Sequence, residues 1–153
     1  MSTVTFAVYG RPAGKGSVQT VSHGGKGYGH QPKRTVNWQA LVAAVAQEHV
    51  QPGTPMPTGP VAVTLKVWLA KPKSAPKTKR TWPIRRSALD IDKAVRAALD
   101  GLSGVLYADD SQVTNLFAAK GWAADGRPGI EVSVTTLGEE VIDDATHAQA
   151  PVR

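Results

Sequence analysis

Val61-Ala62-Val63-Thr64-Leu65-Lys66-Val67-Trp68-Leu69 is the stretch on which the fold turns. Its odd positions are apolar without a break, the period of two that a strand with one buried face requires. Upstream, from Thr35, the period lengthens. Val36, Ala40, Val42 or Ala43, Ala46 and His49 or Val50 fall near one face of a helix that Pro52-Gly53 stops. Nearer the start, Val4, Phe6 and Val8 alternate with Thr5 and Ala7 as a first strand, ended by Gly10-Arg11-Pro12-Ala13-Gly14-Lys15-Gly16. The Gly-rich run from Ser22 to Pro32 reads as a flexible loop. Downstream, Lys71 to Arg86 has three Pro, no acid and no apolar period, which predicts a basic loop. A second helix begins at Asp90, with Ile91, Val95, Ala98, Leu99 and Leu102 along one side and Gly101 and Gly104 marking its end. Gln112 to Ala119 and Ile130 to Thr136 read as strands forming a hairpin through Asp125-Gly126-Arg127-Pro128. From Gly138 the chain is acidic, Ala-rich and free of aromatics, the composition of a disordered tail. This order predicts one α+β domain over residues 1–137, with helices on one face of a mixed β-sheet, followed by a tail over 138–153.

The 153 residues include no Cys, which excludes thiol catalysis, disulfide scaffolding and Cys-ligated zinc or iron–sulfur centres. No apolar stretch approaches the roughly 20 residues of a membrane span, and Met1 to Gly10 lacks the basic start and apolar core of a signal peptide. The expected location is cytoplasmic, with no membrane partner. Charge is segregated along the chain. Residues 1–89 hold 13 Lys and Arg against one acid, Glu48, whereas residues 90–153 hold 5 against 11. A basic surface of that size is the footprint of a polyanionic partner or, more blandly, a solubilising excess.

The acids point to chemistry. Asp90 and Asp92 open the second helix, and Asp109-Asp110 lie in the turn beyond its end. A non-helical Asp90 can swing its carboxylate toward Asp92. Asp110 must travel back about 15 Å, the length of a ten-residue helix, to join them, along a strand antiparallel to that helix. Three converging carboxylates repel unless a divalent cation lies between them, and hard oxygen ligands suit Mg²⁺ or Mn²⁺. A purely structural account is also available: Asp90 as helix cap, Asp92 as a first-turn acid paired with Arg96, Asp109-Asp110 as a turn. The neighbouring basic loop favours the chemical account. Phosphodiester hydrolysis needs cations to hold the backbone and a metal to activate water and stabilise the leaving oxygen.

The run Leu89-Asp90-Ile91-Asp92-Lys93-Ala94-Val95-Arg96-Ala97-Ala98-Leu99-Asp100-Gly101-Leu102, followed by Gly104-Val105-Leu106-Tyr107-Ala108-Asp109-Asp110-Ser111-Gln112-Val113, resembles the RusA family of Holliday junction resolvases. That family reads Asp-x-Asp-Asn-x-x-Lys-x-x-x-Asp-x-Leu and then Asp-Asp-x-Gln-Val. Its Gly-x-Pro-x-x-Lys-Gly run resembles Gly10 to Gly16. The resemblance spans roughly residues 4–136. It implies a Mg²⁺-dependent homodimeric endonuclease that cuts four-way DNA junctions symmetrically, in a bacterial or phage-infected cell. Asp90, Asp92 and Asp110 would be catalytic metal ligands, with Asp109 beside them. Two positions depart from the pattern: Lys93 stands where the family has Asn, and Arg96 where it has a functional Lys. Arg96 keeps positive charge near a scissile phosphate but cannot donate a proton as Lys can; Lys93 or Lys120 could supply that ammonium.

DNA contacts are expected from Arg11 and Lys15 in the glycine turn, from Lys26, Lys33 and Arg34, and from Lys71, Lys73, Lys77, Lys79, Arg80, Arg85 and Arg86 in the basic loop. Lys120 joins them. Tyr28 could add stacking and Trp82 could wedge at a junction crossover, while Trp38 reads as core. A four-way junction has two-fold symmetry, which suits a homodimer, and the exposed side of Val61 to Leu69 is a candidate contact face. Gly10 to Ser17 fails the Walker spacing, so no nucleotide cofactor is expected. His23 and His30, seven apart, are poorly spaced for zinc. The rival function is a non-catalytic branched-DNA-binding protein that kept the fold and lost chemistry through Lys93 and Arg96.

Overall fold

The computed structural model describes residues 1–16, 19–23 and 26–138; the acidic tail expected beyond them lies outside the described residues. The chain runs β1 (Thr3–Tyr9), β2 (Gln19–His23), β3 (Lys26–His30), α1 (Lys33–Glu48), β4 (Val61–Leu69), α2 (Ile91–Leu102), β5 (Val113–Trp122) and β6 (Gly129–Thr136). Four strands form a mixed sheet in the order β1-β6-β4-β5, so the α+β architecture is as expected.

The alternating run Val61–Leu69 is an inner strand, antiparallel to β6 and parallel to β5. Its apolar positions line up across the sheet: Leu65 stands beside Val132, and Val132 beside Phe6. All three are buried, together with Val63, Val67, Ile130, Val134 and Val8. Trp38, Val42 and Ala46 of α1 and Ala94, Val95, Ala97, Ala98 and Leu102 of α2 close the same core. The opposite face carries hydroxyls, with Thr3 bonded to Thr135 at 2.9 Å and Thr5 to Ser133 at 3.1 Å. Helices therefore cover one face of the sheet.

Four readings from the sequence are corrected. The last two strands do not form a hairpin, because β4 lies between β5 and β6. A parallel β4–β5 pair requires a long crossover, which residues 70–112 and α2 provide. The chain then steps over the end of β4, with Ala123 N–H donating to Leu69 carbonyl at 2.8 Å, and inserts β6 where it gains two neighbours. The Gly-rich run read as a loop holds the end of β2 and the whole of β3, an antiparallel pair. The buried stripe of α1 is Thr35, Trp38, Val42 and Ala46, while Val36 and Ala40 face outward, because the helix rests on the core through its indole. Gly101 is no terminator. It lies within α2, where a Cβ would come 2.9 Å from the Gln39 carbonyl and 3.0 Å from Val42 Cβ, so glycine lets the two helices approach. Gly104, at φ +78°, does follow the helix end in the left-handed conformation that favours glycine.

Candidate active site and nucleic-acid interface

Asp90 is the N-cap of α2, with extended dihedrals (φ −68°, ψ 138°) and no capping bond from its side chain. Its carboxylate is instead held by Lys93 at 2.9 Å. That ammonium, hydrogen-bonded to the carboxylate, keeps Asp90 below the usual carboxylate range, and Lys120 adds to the effect. The same bond raises Lys93 above the ordinary lysine value. Asp92, in the first turn, is exposed. Lys120, near the end of β5, donates to the Leu89 carbonyl at 2.9 Å. Both lysines suggested as proton donors thus stand at the Asp90 end of α2. Arg96 is exposed one turn along the helix, and among the described residues it pairs with neither Asp92 nor Asp100.

The turn carrying Asp109 and Asp110 is built around Gln112. Its side-chain oxygen accepts from the N–H groups of Ala108 (2.8 Å) and Asp109 (3.1 Å), and its amide donates to the carbonyls of Pro57 (2.9 Å) and Gly59 (2.8 Å). Asp109 caps the short 3₁₀ turn, accepting from Ser111 N–H at 2.9 Å, and hydrogen bonding from the Ser111 hydroxyl and then its N–H lowers the Asp109 pKa. Both acids are exposed, and Asp109 is the one whose carboxylate engages the backbone of the turn. An Asp followed three residues later by Gln is a capping-box signal, so this role of Gln112 was present in the sequence. Buried Tyr107 fixes the turn to the helix by donating to Leu99 carbonyl at 3.1 Å, and burial pushes its phenol up.

The strand β5 does run antiparallel to α2, but with the opposite consequence from the one expected. It starts beside the helix C-terminus and brings Lys120, rather than Asp110, to the helix N-terminus. The 12-residue α2 spans about 18 Å. Asp90 and Asp92 lie at one end and Asp110 at the other. No group of three acids or histidines able to hold a metal exists within one protomer among the described residues.

The basic loop is as open as its composition suggested. Lys71, Lys73, Lys77, Lys79, Arg80, Arg85 and Arg86 are all exposed, and none pairs with a carboxylate among the described residues. Trp82 is 53% exposed, with the Arg80 guanidinium 5.1 Å from its ring centre. Lys33 and Arg34 are exposed in the first turn of α1, and Arg11 follows β1. The side chains of Lys26, Tyr28, His23 and His30 lie outside the described residues.

Lys15 differs from this set. Its ammonium pairs with Asp100, whose same oxygen accepts from Gln39 Nε2 at 3.1 Å. The surrounding turn is a clip. Lys15 N–H donates to Lys93 carbonyl at 3.0 Å, Thr35 hydroxyl donates to Gly14 carbonyl at 2.8 Å, and a Cβ on Gly14 would meet Leu89 and Lys93 at 2.7 and 2.8 Å. The Lys of the glycine turn therefore ties β1, α1 and α2 together. Lys15→Met is expected to cost about 1 kcal/mol in urea unfolding while leaving the salt dependence of DNA binding unchanged. A shallower salt slope with unaltered stability would return Lys15 to the DNA surface.

The outward side of β4 is Ala62, Thr64, Lys66 and Trp68 on an inner strand, whereas β1 and β5 are the two edge strands, and β5 carries Leu116 49% and Phe117 59% exposed. No helix among the described residues is long and apolar enough to cross a membrane.

Residues 10–135 match the family described as Endodeoxyribonuclease RusA. A relative in Bacillus subtilis (strain 168), described as uncharacterized protein YqaN, is 31% identical over 141 residues, covering 88% of this chain and 96% of that protein.

Proposed function

Since the chain belongs to the RusA endodeoxyribonuclease family, we propose that it is a metal-dependent nuclease that resolves four-way DNA junctions as a homodimer, each active site being completed across the dimer axis. The observation that carries this reading is the separation of the acids. Asp90 and Asp92 occupy one end of α2 and Asp110 the other, so one protomer supplies only part of a divalent-ion site.

The free edge of β5 offers a way to join the parts. Its outer N–H and C=O groups have no strand partner among the described residues, and such edges template pairing. Antiparallel pairing of β5 with its copy, centred between Leu116 and Phe117, sets Val113 opposite the partner's Lys120. Asp110, three residues before Val113, then falls near the partner's Asp90. A two-fold axis makes this exchange reciprocal and yields two equivalent sites, as symmetric cutting of a two-fold junction demands. The donor set fits a hard cation: Asp90 and Asp92 with the partner's Asp110 would hold Mg²⁺ or Mn²⁺, leaving positions for water and phosphate. Bound there, the ion would activate water and stabilise the leaving oxygen.

The chain's own side chains carry the rest. Exposed lysines and arginines of the basic loop hold the phosphate backbone. Lys120, anchored on Leu89 carbonyl, and Lys93, on Asp90, keep ammonium groups at the reacting end of α2, while Arg96 offers a bidentate guanidinium one turn away. The test is incubation of the purified protein with a labelled four-way junction and Mg²⁺. Paired symmetric nicks are expected. Binding without cleavage in either Mg²⁺ or Mn²⁺ would instead support the branched-DNA-binding protein, with Lys93 neutralising Asp90 in place of a metal.

A further inference from the structure

A cleft of about 790 Å³ opens beside the N-terminus of α2. That volume lies in the range of roughly 300–1,000 Å³ typical of small-molecule sites. Its charged side chains are Arg11 after β1, Arg34 in the first turn of α1 and Arg85 at the end of the basic loop. No carboxylate lines it, and none of the three arginines pairs with an acid among the described residues. Leu69, Leu89 and Trp122 form the apolar wall. The indole of Trp122 is oriented by its N–H bond to Thr81 hydroxyl at 3.1 Å.

Three features separate this cleft from the general basic surface. Among the described residues its cations are all Arg, whereas the basic loop as a whole carries four Lys beside Arg80, Arg85 and Arg86. Guanidinium groups bind phosphate with two parallel hydrogen bonds and stack on bases, which ammonium groups do not. The arginines come from three segments distant in sequence and line one cleft, where a bound anion would offset their like charges. The first turn of α1 agrees: it contains no acid, its cap Pro32 supplies no side-chain acceptor, and it carries Lys33 and Arg34 at the positive end of the helix dipole. Finally, Leu89 is both a wall of the cleft and the residue before Asp90, so whatever enters lies against the reacting end of α2.

We propose that the cleft seats one unpaired nucleotide of the branched DNA, its phosphate on Arg11, Arg34 and Arg85 and its base against the Leu89 and Trp122 wall. The proposal rests on the junction-nuclease reading and adds that the enzyme opens the strand by one nucleotide beside the scissile phosphate.

The test compares two four-way junctions, one fully paired and one with a single unpaired nucleotide at the crossover, bound by the full chain in EDTA so that nothing is cut. The unaltered protein should prefer the second junction by roughly tenfold, the scale of one base stacked on an aromatic wall. The double variant Arg11→Gln with Arg34→Gln should lose that preference. Lys77→Gln with Lys79→Gln should weaken both complexes equally and keep the ratio. If the double variant fails to fold, judged by its circular-dichroism melt, Arg34→Lys replaces it. That change keeps the charge and should still reduce the preference, because the planar fork is gone. Equal affinity of the unaltered protein for both junctions, or a preference that survives loss of the arginines, overturns the cleft assignment while leaving the nuclease reading intact. Binding to neither junction in preference to linear duplex overturns both.

Discussion

Asp92→Asn is expected to slow junction cleavage on the order of a thousandfold while junction affinity stays the same or rises. Asp92 lies exposed in the first turn of α2, with no hydrogen bond or ion pair among the described residues. The substitution therefore removes a ligand oxygen and a negative charge without disturbing the core. Losing one carboxylate from a three-carboxylate site withdraws several kcal/mol of charge stabilisation from the transition state. The same change removes repulsion toward the DNA backbone, which is why binding should not suffer. Cleavage by single-turnover kinetics and binding by gel shift report the two quantities separately. A variant that cuts at the unaltered rate would remove Asp92 from the site, and one that neither cuts nor binds would make it part of the DNA contact.

The second large effect concerns how the site is assembled. Asp92→Asn and Asp110→Asn are each expected to be inactive alone, yet mixing them should restore cleavage. In a mixed dimer with sites shared across the axis, one site collects both substitutions and the other collects neither. With half of the dimers mixed and one of two sites intact in each, activity should return to roughly a quarter of the unaltered level for protomers that assort freely. Those dimers should leave single nicks rather than paired ones. Were each site contained within one protomer, every site in the mixture would carry a substitution and the mixture would stay inactive. The measurement, nicking of a labelled junction after the two variants are co-refolded, thus separates a shared site from a self-contained one by presence or absence.

Much of this protein is written in local pattern. The alternation of Val61 to Leu69 and of Val4 to Val8, the helix opening at Asp90 and the exposed cations of residues 71–86 all follow from period, caps and composition, and the structure has them where those signals place them. The pairing of β5 with β4 rather than β6 did not follow, because two strand-like runs joined by a turn look alike whether or not a third strand lies between them. The outward Val36 and the inner Gly101 misled for a related reason. Which face of α1 is buried, and that Gly101 is a contact with Gln39 and Val42, depend on how the two helices meet.

The site divides along the same line. By itself the sequence determined which residue types are present and in what local setting: paired acids at a helix start, an Asp-Asp turn held by Gln112, and a long cationic loop, each specified by hydrogen bonds and charges a few residues apart. Tertiary structure alone decided where they stand. The course of β5 brought Lys120 to Asp90 and left Asp110 about a helix length away, the approach of the glycine turn to α2 engaged Lys15 with Asp100, and the packing of three distant segments placed Arg11, Arg34 and Arg85 in one cleft with Trp122. These distances are set by the order of strands in the sheet, which pays no regard to separation along the chain, and no local period records that order.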